Sequence, residues 1–133
     1  MIPSGSNAWI TFRLAPTDAA PARARAQLGG LLNGLPEATQ NDALVMLSEV
    51  VTNAVRHSEG SITVTAETDG VLVDVSVADD ESAAPYVKLA SLEAESGRGL
   101  ALVASLADTW GVRRLPGGKG KTVWFRLSSE DAS

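Results

Sequence analysis

The chain has 133 residues, 44% of them apolar, which is the size and core content of one domain. Its 11 basic and 16 acidic residues leave a net charge of −5, against the basic face that nucleic-acid binders carry, so direct nucleic-acid contact is not expected. With no cysteine and a single histidine, disulfides, thiolate zinc sites and cysteine nucleophiles are excluded, and any metal should be a hard ion bound by oxygen.

The segment Met1–Ala8 has neither a basic stretch nor an apolar core, and no apolar run approaches the roughly 18 residues that suggest a membrane span. A cytoplasmic protein without membrane contact is expected. The folded unit is placed at 8–128, between a short N-terminal tail (1–7) and a polar C-terminal tail (129–133).

In chain order, Ile10, Phe12 and Leu14 share one side of an extended segment and predict a first strand over Trp9–Leu14. Asp18–Leu32 is rich in alanine and arginine and predicts a helix closed by Asn33-Gly34 and Pro36. The longest helix is predicted from Pro36 to His57. Ile62, Val64 and Ala66 alternate with polar residues, Asp69-Gly70 supplies a turn, and Val71, Val73, Val75 and Val77 alternate again, which predicts a hairpin.

From Asp79 to Ser96 periodicity is lost, so a long loop is expected there. Gly97–Asp108 then predicts a helix, because Leu100, Val103, Leu106 and Ala107 share a face. Trp110–Leu115 and Lys121–Leu127 predict two strands around Pro116-Gly117-Gly118-Lys119-Gly120, in which Lys119 and Lys121 read as solvated turn charges. The expected architecture is α+β, a two-layer sandwich with a mixed, mostly antiparallel sheet covered by helices on one face.

On the long helix, at roughly 100° per residue, Leu44, Leu47, Val50, Val51, Ala54 and Val55 fill an arc of roughly 140° that a core would bury. Glu49, Asn53 and His57 form a stripe beside it, which Met46 partly shares. A spacing of four stacks carboxylate, amide and imidazole on successive turns, where all three can address one ligand. Taken alone, the stripe also suits solvated helix positions, with His57 near a helix C-terminus that favours a cation.

Four motifs follow one another along the chain: Glu49-x-x-x-Asn53-Ala54-x-x-His57, an aspartate ending a hairpin strand, Gly97-Arg98-Gly99-Leu100, and Gly120-Lys121-Thr122. In this order they resemble the conserved boxes and final threonine strand of GHKL (Bergerat-fold) ATPases. The run Gly97 to Val103 followed by Leu106-Ala107-Asp108-Thr109-Trp110-Gly111 looks most like the bacterial anti-sigma-factor serine/threonine kinases within that superfamily.

The resemblance implies ATP and Mg2+ as cofactors, with the Asn53 amide oxygen on the metal and Glu49 as the base that receives the hydroxyl proton. It implies Asp79 as acceptor for the exocyclic amine of adenine. Asp80 is the alternative, but matching Asp79-x-Glu81-x-Ala83-x-Pro85 to the family's Asp-x-Gly-x-Gly-x-Pro keeps the proline in register. Glu81 and Ala83 stand where that pattern has glycines.

Gly97, Arg98, Gly99 and Leu100 are implied at the phosphates, where amides freed by glycine meet a helix N-terminus and Arg98 reaches the γ-phosphate. His57 is counted with the nucleotide-binding residues, and Thr122 is placed near the base through Asp79. The implied partners are a sigma factor and a STAS-domain antagonist phosphorylated on serine, with a homodimer as the family's usual assembly. A non-catalytic, nucleotide-dependent binding module in a partner switch is the alternative function. A complete sensor histidine kinase is not expected.

Overall fold

The computed structural model describes residues 7–57, 60–79, 100–114 and 120–130. Five strands and three helical segments are found among them: β1 (Ala8–Leu14), α1 (Ala20–Leu31), α2 (Glu37–His57), β2 (Ile62–Thr68), β3 (Leu72–Asp79), a helical stretch over residues 100–106, β4 (Thr109–Arg114) and β5 (Lys121–Ser128). The sheet order is β1-β2-β3-β5-β4. All four pairings are antiparallel, the limit of the mostly antiparallel sheet expected.

Period-two alternation decides which residues face the helices. Val64, Val77 and Val123 lie in one cross-strand row and Ala66, Val75 and Phe125 in the next, and every one of these side chains is buried. The helix-facing row after Val64-Val77-Val123 is Ile62, Asp79 and Lys121. The same alternation that builds the apolar core therefore carries one acid and one base to its margin.

The first helix begins at Ala20, two residues after the expected Asp18, because Asp18 lies in a turn closed by the Ala20 N–H donating to Thr17 O at 3.0 Å. Pro21 then occupies the first turn, where its missing N–H costs nothing. Gly34, at φ 92°, takes the left-handed conformation that reverses the chain into α2. Glu37 in the first turn of α2 and Arg56 and His57 in the last complement the helix dipole.

Leu28 and Leu32 of the α1 region are fully buried against the core, and Arg25 Nη1 donates to Ser48 Oγ on α2 at 2.8 Å. Helix α2 is thus covered by α1 as well as by the sheet. Its buried side is correspondingly turned from the expected arc: Ala43, Met46 and Asn53 are buried, whereas Leu44 and Val55 are only half-buried.

The β2–β3 turn is held by Asp69, whose Oδ1 accepts from the Val71 N–H at 2.9 Å and the Leu72 N–H at 2.8 Å, while Gly70 adopts φ 96°. These donors, Leu72 foremost and then Val71, hold the Asp69 carboxyl below the ordinary value of 3.8. A depressed folded pKa means stability that is present above the unfolded value and is lost as pH falls through the folded one. Asp69→Ala should therefore lower Tm by a constant amount near neutrality. The gap to the wild type should close as the pH is taken below 3.8 in a thermal-melt series.

Candidate functional site

Where α2 crosses the ends of β3 and β5, the described side chains enclose a cavity of ≈ 30 Å³, about the room one water needs. Val50, Asn53 and Ala54 form its helical wall; Val77 and Asp79 come from β3; Lys121 and Val123 come from β5. Leu100 closes it from the 100–106 helix, and Val112 and Arg114 from β4. Four elements and one helical stretch, distant in sequence, thus meet at one point.

Asn53 reaches this wall because it sits one turn after Glu49 and one residue before the core position Ala54. It is 8% exposed, so its amide is presented to the cavity and not to bulk solvent. Glu49 and His57 lie one turn to either side, both half-buried, and neither lines the cavity. Asp79 is buried at 3% exposure and ends β3, as the hairpin pattern required.

The partner of Asp79 is not the expected one. Antiparallel register sets Lys121 opposite Asp79 and Thr122 opposite Ala78, so alternation turns the Thr122 side chain to the far face of the sheet. Thr122 is therefore removed from its expected place beside Asp79. Lys121, read from the sequence as a solvated turn charge, is instead 4% exposed, and its Nζ donates to Asp79 Oδ2 at 3.1 Å. The signal that could have found it was a count of register from Asp79 across the hairpin partner strand, which requires knowing that β5 pairs with β3.

Buried ion pairs of this kind persist only when each charge is compensated, because desolvation of either alone costs several kcal/mol, roughly. The pair sets one negative and one positive charge side by side in the cavity wall. Leu100 is the first described residue of the 100–106 helical stretch, and it lines the cavity. Gly97, Arg98 and Gly99, together with Glu81 and Ala83, lie outside the described residues.

Magnesium takes few ligands from protein and completes its octahedron with water and phosphate oxygens. The buried Asn53 amide in the cavity wall, with the Glu49 carboxylate one turn away, fits that demand. Among the described residues no group of three His, Cys, Asp or Glu side chains could hold a metal by itself. No helix among them is long and apolar enough to cross a membrane.

An open antiparallel sheet with helices on one face, and a largely apolar cavity with Asn53, Asp79 and Lys121 in its wall, defines an α+β domain. The model of the histidine kinase-like ATPase domain family matches residues 12–127, from within β1 to within β5, and the chain belongs to that family. Among solved structures it is similar to the RsbU and RsbW domains of Rv1364c from Mycobacterium tuberculosis, at 27% identity with a TM-score of 0.68 over 91% of this chain. The likeness covers 32% of that larger chain, so it concerns one part of it. No protein of curated function matches the chain by sequence.

Proposed function

We propose that this chain is an ATP-binding regulatory serine/threonine protein kinase of the anti-sigma-factor type, which phosphorylates a STAS-type antagonist and sequesters a sigma factor in the cytoplasm. The observation that carries it is the convergence of Asn53 and Asp79, from separate elements, on one cavity in a histidine kinase-like ATPase domain. The likeness to a solved chain with an RsbW domain supports the kinase branch of the family.

In this reading Asn53 holds Mg2+ through its amide oxygen, and Asp79 accepts from the exocyclic amine of adenine. The bound ion supplies charge neutralisation at the phosphate oxygens. Glu49, one turn from Asn53, orients the serine hydroxyl of the partner and takes its proton at a carboxylate oxygen. Gly97 to Leu100 supply backbone amides to the phosphates, and Arg98 adds a cation there. Folding over 8–128 contains every one of these residues.

Incubation with labelled ATP, Mg2+ and a matching STAS-domain partner tests this reading directly. Label is expected on a serine of the partner. Glu81 and Ala83, which stand where the family pattern has glycines, favour one other reading, a nucleotide-dependent binding module without turnover. Tight partner binding with no label under any nucleotide condition would select it.

A further inference from the structure

Strand β1 is an edge of the sheet: among the described residues it pairs with β2 alone. An edge presents a row of backbone donors and acceptors, which folded proteins usually blunt with lysine, proline, a bulge or a covering element. The run Ala8-Trp9-Ile10-Thr11-Phe12-Arg13-Leu14 has neither lysine nor proline, and its register with β2 is continuous from end to end. Period two sets Ala8, Ile10, Phe12 and Leu14 on the helix side, in rows with Thr68, Ala66, Val64 and Ile62. Ile10 and Phe12 are only half-buried there, so apolar surface remains at the margin of the sheet. Trp9, Thr11 and Arg13 project from the other side, and Trp9 is 66% exposed.

We propose that β1 is a self-association edge, through which two copies of this chain join antiparallel into one continuous sheet, with Trp9 of each copy against the partner's Arg13. Residues facing each other across an antiparallel pair share a face, and a twofold axis makes every contact occur twice. Full overlap of the strand with its own copy centres the pairing on Thr11. Ile10 then faces the partner's Phe12 on the helix side, and Trp9 faces the partner's Arg13 on the other, so each facing pair is chemically matched. A guanidinium against an indole is held by cation–π attraction. Glu67 lies opposite Trp9 on β2, so the row across the junction runs carboxylate, indole, guanidinium. A strand from another protein could use the same backbone groups, but only a second copy brings a cation to Trp9 and an aromatic ring to Ile10 by this chain's own sequence. No β1 residue lines the cavity that holds Asn53 and Asp79, so the association stands or falls separately from the nucleotide reading.

The test is sedimentation velocity over a dilution series on the wild type, Trp9→Lys, Trp9→Glu and the double variant Trp9→Lys/Arg13→Glu. The wild type should show a reversible dimer. Trp9→Lys faces two cations with two others and should raise the dimer dissociation constant about five- to thirtyfold, the range for losing two exposed cation–π contacts. Trp9→Glu faces each guanidinium with a carboxylate and should stay within a few fold of the wild type. The double variant restores opposite charges at the same two points and should recover most of what Trp9→Lys loses. Both positions are exposed, so thermal melts of the diluted variants should show each of them folded.

A wild type that sediments as a monomer at every concentration overturns the inference. A Trp9→Lys protein that dimerises as the wild type does overturns it too. Trp9→Glu and Trp9→Lys weakening the dimer equally would place the indole in an apolar seat and not against Arg13, and would overturn the pairing.

Discussion

Asp79→Ala is expected to lower the free energy of unfolding by about 3–5 kcal/mol, the usual consequence of stripping one member from a buried ion pair. The reason is the Lys121 ammonium, which the substitution leaves in a site only 4% exposed with its carboxylate gone. Lys121 is set among core residues, with Val123 on its own strand, Val77 on β3 and Ala54 on α2 lining the same cavity. The double variant Asp79→Ala/Lys121→Met removes both charges, and apolar replacement of a whole buried pair is close to neutral. It should recover more than half of the loss in urea denaturation. Equal loss in the single and double variants would mean that the two charges do not depend on each other.

Glu49→Gln is expected to reduce phosphate transfer to the partner serine by about 10²- to 10⁴-fold, the range general base catalysis contributes, while ATP affinity stays within a few fold. The separation of the two effects follows from where the residue lies. Glu49 is half-buried and one turn from Asn53, outside the cavity wall that holds Asn53, Asp79 and Lys121. Glutamine preserves its volume and its place on α2, so binding contacts persist. Its amide has no basicity for the hydroxyl proton. Single-turnover transfer with labelled ATP measures the step, and undiminished transfer would remove Glu49 from the role of base.

The core of this fold could be read directly from the chain because its strands obey a period of two. Val73, Val75 and Val77 mark the buried face of β3, and Asp69-Gly70 marks the turn before it, with no knowledge of what lies across. Helix α2 was equally legible in length, from the apolar spacing that ends at His57. Its rotation was not. Burial of Asn53 depends on the cavity walls supplied by β3, β4, β5 and the 100–106 stretch, which the helix's own periodicity does not encode.

The same division runs through the site. Asn53 and Asp79 are picked out by the order and spacing of the motifs that carry the resemblance, and both line the cavity. The exchange of Thr122 for Lys121 beside Asp79 is a matter of register between β3 and β5, which are separated by more than 40 residues of chain. A lysine next to Pro116-Gly117-Gly118-Lys119-Gly120 has every local mark of a solvated turn. Only long-range pairing places it in the core margin, and it is the feature that most distinguishes the deep end of this cleft from the expectation.

The claim that this is a Mg2+-dependent ATP site is tested most directly by thermal unfolding with ATP, with and without Mg2+, on the wild type and on Asn53→Ala. At a hundredfold excess over Kd a ligand that binds only the folded state adds about 2.7 kcal/mol, several degrees in Tm. The wild type should show that rise with ATP and Mg2+ together and a smaller one with ATP alone, and Asn53→Ala should lose the increment due to the metal. A wild-type Tm that does not move with ATP and Mg2+ would contradict the account.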